Sequence, residues 1–146
     1  MKPTLIIGLG NPLMGDDGVG CRVAECLAVD PRLPEDAEVI AGGTDVLRLA
    51  ETMQGRQRIV LLDAMLDAGL PGDVAIVETA AAGGHAHHLS AAECVGLLRA
   101  VTPALAGVRF TVLAIAVESA HPGGLSPALA RRVPEIAGRV LRELAS

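Results

Sequence analysis

The chain has no tryptophan, no tyrosine and a single aromatic residue, Phe110. Base stacking on aromatic side chains, the usual hold on single-stranded nucleic acid, has almost nothing to work with. Positive charge is also in short supply. The formal net charge of −5 leaves no electrostatic footprint for nucleic acid or an anionic lipid surface. No apolar stretch approaches the roughly 20 residues that a membrane helix needs. Lys2 precedes only a short apolar run before Gly8, with no small-residue cleavage site, so no secretion signal is expected. Cys21, Cys26 and Cys94 are odd in number and lack Cys-x-x-Cys spacing. They read as small buried hydrophobes of a reducing cytoplasm rather than as a disulfide or a metal clamp. A Gly-x-Ser-x-Gly elbow is missing, and no cysteine has a histidine partner close in sequence, which leaves nucleophilic catalysis without an obvious carrier.

What remains is a chain of 146 residues, 51% of them apolar, enough for one domain over 1–146 with a core that needs no disulfide. Apolar runs predict strands at 4–8, 37–41, 58–63, 73–78 and 108–117. Helical patterns cover 17–29, 44–53 and 90–101, and a last helix follows the Pro/Gly loop at 119–127. Asp30-Pro31 and Leu33-Pro34 end the first helix. Residues 64–72, with their Pro71-Gly72 turn, are too few for a helical crossover, so the fourth strand is expected to run antiparallel at an edge. The β-α-β-α-β order otherwise implies a doubly wound, three-layer α/β/α sandwich of about five strands, mostly parallel. In such sheets ligands bind beyond the carboxyl ends of the strands, where the winding reverses.

The most informative segment is 8–20, Gly-Leu-Gly-Asn-Pro-Leu-Met-Gly-Asp-Asp-Gly-Val-Gly, between the first strand and the first helix. A glycine-rich loop there commonly cradles phosphate on bare backbone N–H groups. Here Asp16 and Asp17 occupy the electropositive helix end, where they are expected to cap its donors and repel an anion. A cation or a polarised peptide suits that end better than a dinucleotide. Asp63 closes the third strand, where a carboxylate either bonds a loop backbone or meets a cation. If the first strand lies between the second and third, Asp17 and Asp63 become neighbours. His85, His87 and His88 stand in the Gly/Ala loop at 79–89, open to a surface role or to joining the two acids. Two carboxylates and one imidazole form an incomplete set suited to nickel or zinc, with positions left for substrate. Glu118, Ser119 and His121 follow the fifth strand and are supporting candidates.

The blocks Gly8-Leu9-Gly10-Asn11, Leu13, Asp16-Asp17-Gly18 and Gly20 resemble the opening motif of hydrogenase maturation proteases. The likeness continues through Gly42-Gly43-Thr44, Asp63-Ala64, His87-His88-Leu89-Ser90, Glu118-Ser119 and Gly124-Leu125-Ser126-Pro127, in family order. Two positions depart from the family pattern: Ala41 stands before the Gly-Gly-Thr and His85-Ala86 before the histidine. The resemblance implies a cytoplasmic endopeptidase that trims the C-terminus of a nickel-loaded [NiFe]-hydrogenase large-subunit precursor. It implies metal contacts at Asp17, Asp63 and His87, with His85 and His88 as alternatives to His87, and substrate contacts at Gly42, Gly43 and Thr44. Nickel then arrives with the substrate, no tightly bound cofactor is expected, and zinc or cadmium is able to stand in. Asp17 is open to two roles, ion contact and base. The other readings are an inactive relative that senses metal as a binding protein, and a peptidyl-tRNA hydrolase-like esterase. The latter has a similar Gly-Leu-Gly-Asn-Pro opening but expects a tyrosine that this chain lacks.

Overall fold

The computed structural model describes residues 1–77, 91–118 and 123–146. Five strands, β1 (Thr4–Leu9), β2 (Ala37–Gly43), β3 (Arg58–Leu66), β4 (Val74–Val77) and β5 (Arg109–Val117), form one sheet in the order β2-β1-β3-β5-β4. β1 pairs in parallel with both β2 and β3, and β3 with β5; β4 lies antiparallel to β5 at the edge. The expected architecture and the antiparallel edge strand are therefore both present. Central strands carry the continuous apolar runs, since both of their faces are covered. Leu5 through Leu9 of β1, for example, are all buried.

Alternation along the strands divides the core in two. Leu5, Ile7, Ile59, Leu61 and Val112 pack with Met53 of α2 (Ala50–Met53) and Val95 and Leu98 of α3 (Ala91–Val101). Ile6, Val60, Leu62, Leu113 and Ile115 pack with α1 (Val19–Ala28) and α4 (Pro127–Leu144) on the other face. Val19, Val23 and Leu27 of α1, spaced four apart, form its apolar stripe. Burying each such side chain contributes about 1.5–3 kcal/mol. Arg58, at the amino end of β3, donates to the carbonyls of Glu143 and Leu144 and so holds the last turn of α4.

Three local expectations are corrected. The helix expected over 17–29 begins as a 3-10 turn, Gly15–Gly18, and becomes α-helical at Val19. The helix expected over 44–53 is a 3-10 turn, Val46–Leu49, followed by the single turn of α2, because Asp45 caps the Arg48 N–H and Gly55 at φ +82° ends the run. Asp63 does not close β3. The strand continues to Leu66 because β5 keeps pairing with it, up to Leu66 opposite Val117.

The glycines of the opening motif are explained by backbone proximity. A Cβ on Gly20 would lie 2.4 Å from the Leu62 carbonyl oxygen and 2.5 Å from that of Leu9. One on Gly8 would lie 2.2 Å from the Gly20 carbonyl oxygen. The first turn of α1 thus rests directly on β1 and β3. Gly20→Ala gains helix propensity, but the overlap with strand backbone is expected to outweigh it and destabilise the fold by about 1–3 kcal/mol. Urea unfolding checks this, and unchanged stability would contradict the close approach.

Candidate active site at the switch point of the sheet

From β1 the chain winds over one face, through α1, to β2; from β2 it winds over the other face, through α2, to β3. The winding therefore reverses between β1 and β3, at their carboxyl ends. Both sequence-predicted acids lie there. Asp17 sits in the 3-10 turn between β1 and α1, and Asp63 lies on β3 one residue past Leu62, the partner of Gly8.

Asp17 Oδ2 accepts the Asn11 N–H at 2.8 Å, which folds the 11–17 segment into a closed loop. Gly10, at φ +111°, lies under that loop; a Cβ there would sit 1.9 Å from the Asp17 carbonyl oxygen. Neither Asp16 nor Asp17 caps its own helix as expected from sequence, since Gly18 precedes α1 with no side-chain cap. Asp16 instead turns to the other end of the chain, where Oδ1 accepts the Ser126 N–H at 2.7 Å and Oδ2 the Ser126 hydroxyl at 3.2 Å. Asp16 is buried and Asp17 is half-buried, so only the second acid of the pair faces outward. Sequence reasoning missed the Asp16–Ser126 contact, and its signal was available only as the Ser126-Pro127 helix start.

Asp63 shares its sheet face with Ile59 and Leu61, the α3 side. The electrostatics agree. The Cys94 thiol, on the first turns of α3, is pushed above its ordinary pKa by burial and then by the carboxylates of Asp63, Glu93 and Asp45. Cys21 reports on the other acid. Burial pushes its thiol up, the Gly43 N–H pulls it down, and the charges of Glu25 and Asp17 push it up further. Its Sγ lies 3.4 Å from the Gly8 carbonyl oxygen and 3.5 Å from that of Gly10, beneath the glycine loop.

Gly42 and Gly43 end β2 beside this loop, and the Gly43 carbonyl accepts the Gly10 N–H at 2.9 Å. A Cβ on Gly43 would meet nothing within 4 Å, so this backbone borders open space; Thr44 next to it is exposed. Glu118 follows β5 at the same end and is exposed. His85, His87, His88, Ser119 and His121 lie outside the described residues. Among the described residues no group of three histidine, cysteine or acidic side chains is arranged to hold a metal ion.

A doubly wound α/β protein with two acids gathered at its switch point is the class that the fold and this end of the sheet define. Comparison with known proteins narrows it. The family profile described as HycI, hydrogenase maturation protease, matches residues 21–143. HycI from Thermococcus kodakarensis KOD1 superposes with a TM-score of 0.79 at 20% identity, covering 99% of this chain and 94% of that one. HybD from Thermococcus kodakarensis gives 0.73 at 30% identity, with both chains covered in full (100%). The hydrogenase 2 maturation protease of Escherichia coli (strain K12) is 32% identical over 74 residues, 50% of this chain and 45% of that protein. The matched stretch thus spans less than half the length of this curated relative. The chain belongs to the hydrogenase maturation protease family, which removes the peptidyl-tRNA hydrolase alternative.

The packing beneath the loop predicts an order of thiol reactivity. Cys26, half-buried on α1, reacts first with a disulfide reagent, while Cys21 and Cys94, both buried, react only as the protein opens. Mass mapping of labelled peptides over time checks the order. Fast labelling of Cys21 in the native state would contradict the closed loop.

Proposed function

We propose that this chain is a cytoplasmic endopeptidase that removes the C-terminal extension of a nickel-loaded [NiFe]-hydrogenase large-subunit precursor. The observation that carries the reading is the pair of acids, Asp17 in the turn after β1 and Asp63 on neighbouring β3 one residue past the partner of Gly8, in a chain of this family. His87, four residues ahead of α3 in the sequence, is the proposed third contact, with His85 and His88 as its alternatives. Exposed apolar side chains on the loop after β1 (Leu13 at 76% exposure, Met14 at 37%) and at the end of β3 (Leu66 at 53%) suit a polypeptide substrate better than a small molecule.

The nickel belongs to the substrate. Two carboxylates and an imidazole bind an incoming ion without enclosing it and leave positions for the substrate's own ligands. Such a set recognises a loaded precursor and then releases it. Within it the Asp17 carboxylate either contacts the ion or takes a proton from the attacking water. Its Oδ2 takes the Asn11 N–H, and the half-buried side chain faces outward for either task. Gly42, Gly43 and Thr44 are the proposed contacts for the extended substrate chain; the Gly43 backbone borders open space beside the loop and Thr44 is exposed, while Gly42 packs against Ile7 and Leu49.

The test is incubation with nickel-loaded precursor followed by mass measurement of any released C-terminal peptide. Asp17→Asn is expected to fold with a loss of about 1 kcal/mol or less, because the amide oxygen still accepts the Asn11 N–H, yet to leave the precursor uncut. Cleavage by this variant at the wild-type rate would overturn the role given to Asp17. Dialysed wild-type protein is expected to hold no stoichiometric metal by elemental analysis. A tightly retained equimolar ion would make it a conventional metalloenzyme instead.

A further inference from the structure

Asp16 is the acid of the motif that the proposed chemistry leaves unused, and at 2% exposure it is among the most deeply buried charged groups described. Its carboxylate reaches Ser126, 110 positions away, and spends both oxygens there, on the N–H at 2.7 Å and on the hydroxyl at 3.2 Å. Ser126 stands at the head of α4 with Pro127 next, but its hydroxyl makes no cap bond to α4 and turns to Asp16 instead. A second pair of bonds runs alongside. The Gly15 N–H donates to the Gly123 carbonyl at 2.8 Å, and the Gly123 N–H donates to the Leu13 carbonyl at 3.0 Å, which makes a parallel bridge at Met14 and Gly123. Segments 13–16 and 123–126 are therefore sewn together along their length. Asp17 is the next residue on the first of them.

We propose that Asp16 is a positioning residue for the site. By holding Ser126 it fixes the segment ahead of α4 against the turn that carries Asp17, and so sets the place from which the Asp17 carboxylate meets the substrate. The inference rests on the reading of Asp17 as the working acid. A carboxylate suits the task because a bond from a backbone N–H to an anion is shorter and stronger than one to a neutral acceptor. The positive end of α4 favours the charge as well. Asparagine keeps the geometry: its oxygen accepts the Ser126 N–H and its amide donates to the Ser126 oxygen. Alanine does neither, and leaves the Ser126 N–H without its partner. The turn at 13–17 is then free to shift, and a displacement of about 1 Å at a reacting group costs on the order of 100-fold in rate.

Asp16→Ala, Asp16→Asn, Ser126→Ala and the Asp16→Ala/Ser126→Ala double variant separate this from a merely structural role. Cleavage of nickel-loaded precursor is followed at a temperature where circular dichroism shows each variant folded, with amide hydrogen exchange of 11–17 and 123–126 read in parallel. Asp16→Ala is expected to lower kcat about 100-fold with KM changed by less than about 3-fold, and to speed exchange in both segments. Asp16→Asn should recover kcat to within about 5-fold of wild type, and the double variant should be no slower than Asp16→Ala alone. A folded Asp16→Ala variant with wild-type kcat overturns the proposal. So does an Asp16→Asn variant as slow as Asp16→Ala, since it would give the charge of Asp16 a direct part in the chemistry. Multiplicative losses in the double variant would do the same. If the wild-type protein leaves the precursor uncut, the functional reading is what fails, and exchange alone then decides: unchanged protection of 11–17 in Asp16→Ala overturns the positioning role.

Discussion

The rest of the structure depends on one close approach, the backbone of α1 lying on the ends of β1 and β3 with no side chain between them. Gly8, Gly20 and the Leu62 carbonyl meet at distances that exclude a Cβ. That contact draws the start of α1 over the point where the winding of the sheet reverses, and the residues just before the helix go with it. Asp17 is brought over the strand ends because the helix behind it cannot stand off. A larger residue at either glycine would lift the helix and carry the acid away from β3, so the spacing of the motif serves placement before chemistry.

The two acids reach the same end of the sheet by different means. Asp63 lies inside a paired strand, with β3 and β5 in register on both sides of it, so the sheet itself fixes its backbone. Asp17 lies in a turn that owes its shape to the Asn11 N–H, the positive φ of Gly10 and the bridge to Gly123. One anchor is built into the scaffold and the other is assembled from parts distant in sequence. Adjacent acids also divide the work: Asp16 faces inward and holds the frame, and Asp17 faces outward.

Much of this was legible in the sequence. Continuous apolar runs marked the central strands, and the shortness of 64–72 marked β4 as an antiparallel edge. Placing β1 between β2 and β3 was enough to set the strand that carries Asp63 beside the strand that Asp17 follows. Features set by tertiary contact were not legible. β3 runs past Asp63 because β5 keeps pairing with it, and a local pattern carries no sign of a partner 50 residues on. The Asp-Asp pair looked like a local helix cap because capping is the common use of acids at that position, whereas Asp16 serves a helix that begins more than a hundred residues later. The short second helix follows from the late cap at Asp45 and the early stop at Gly55.

α4 is held by opposite charges at its two ends. Asp16 meets the N–H of Ser126, the residue just ahead of it, and Arg58, whose guanidinium pKa is pushed down by burial and by Arg109, meets its last carbonyls. The helix is 18 residues long, about 27 Å at 1.5 Å per residue. It works as a tie rod across the domain, pinned to the amino end of β3 below and to the loop of the site above. One helix therefore has a foot at the floor of the domain, on Arg58, and its head beside the turn that carries Asp17.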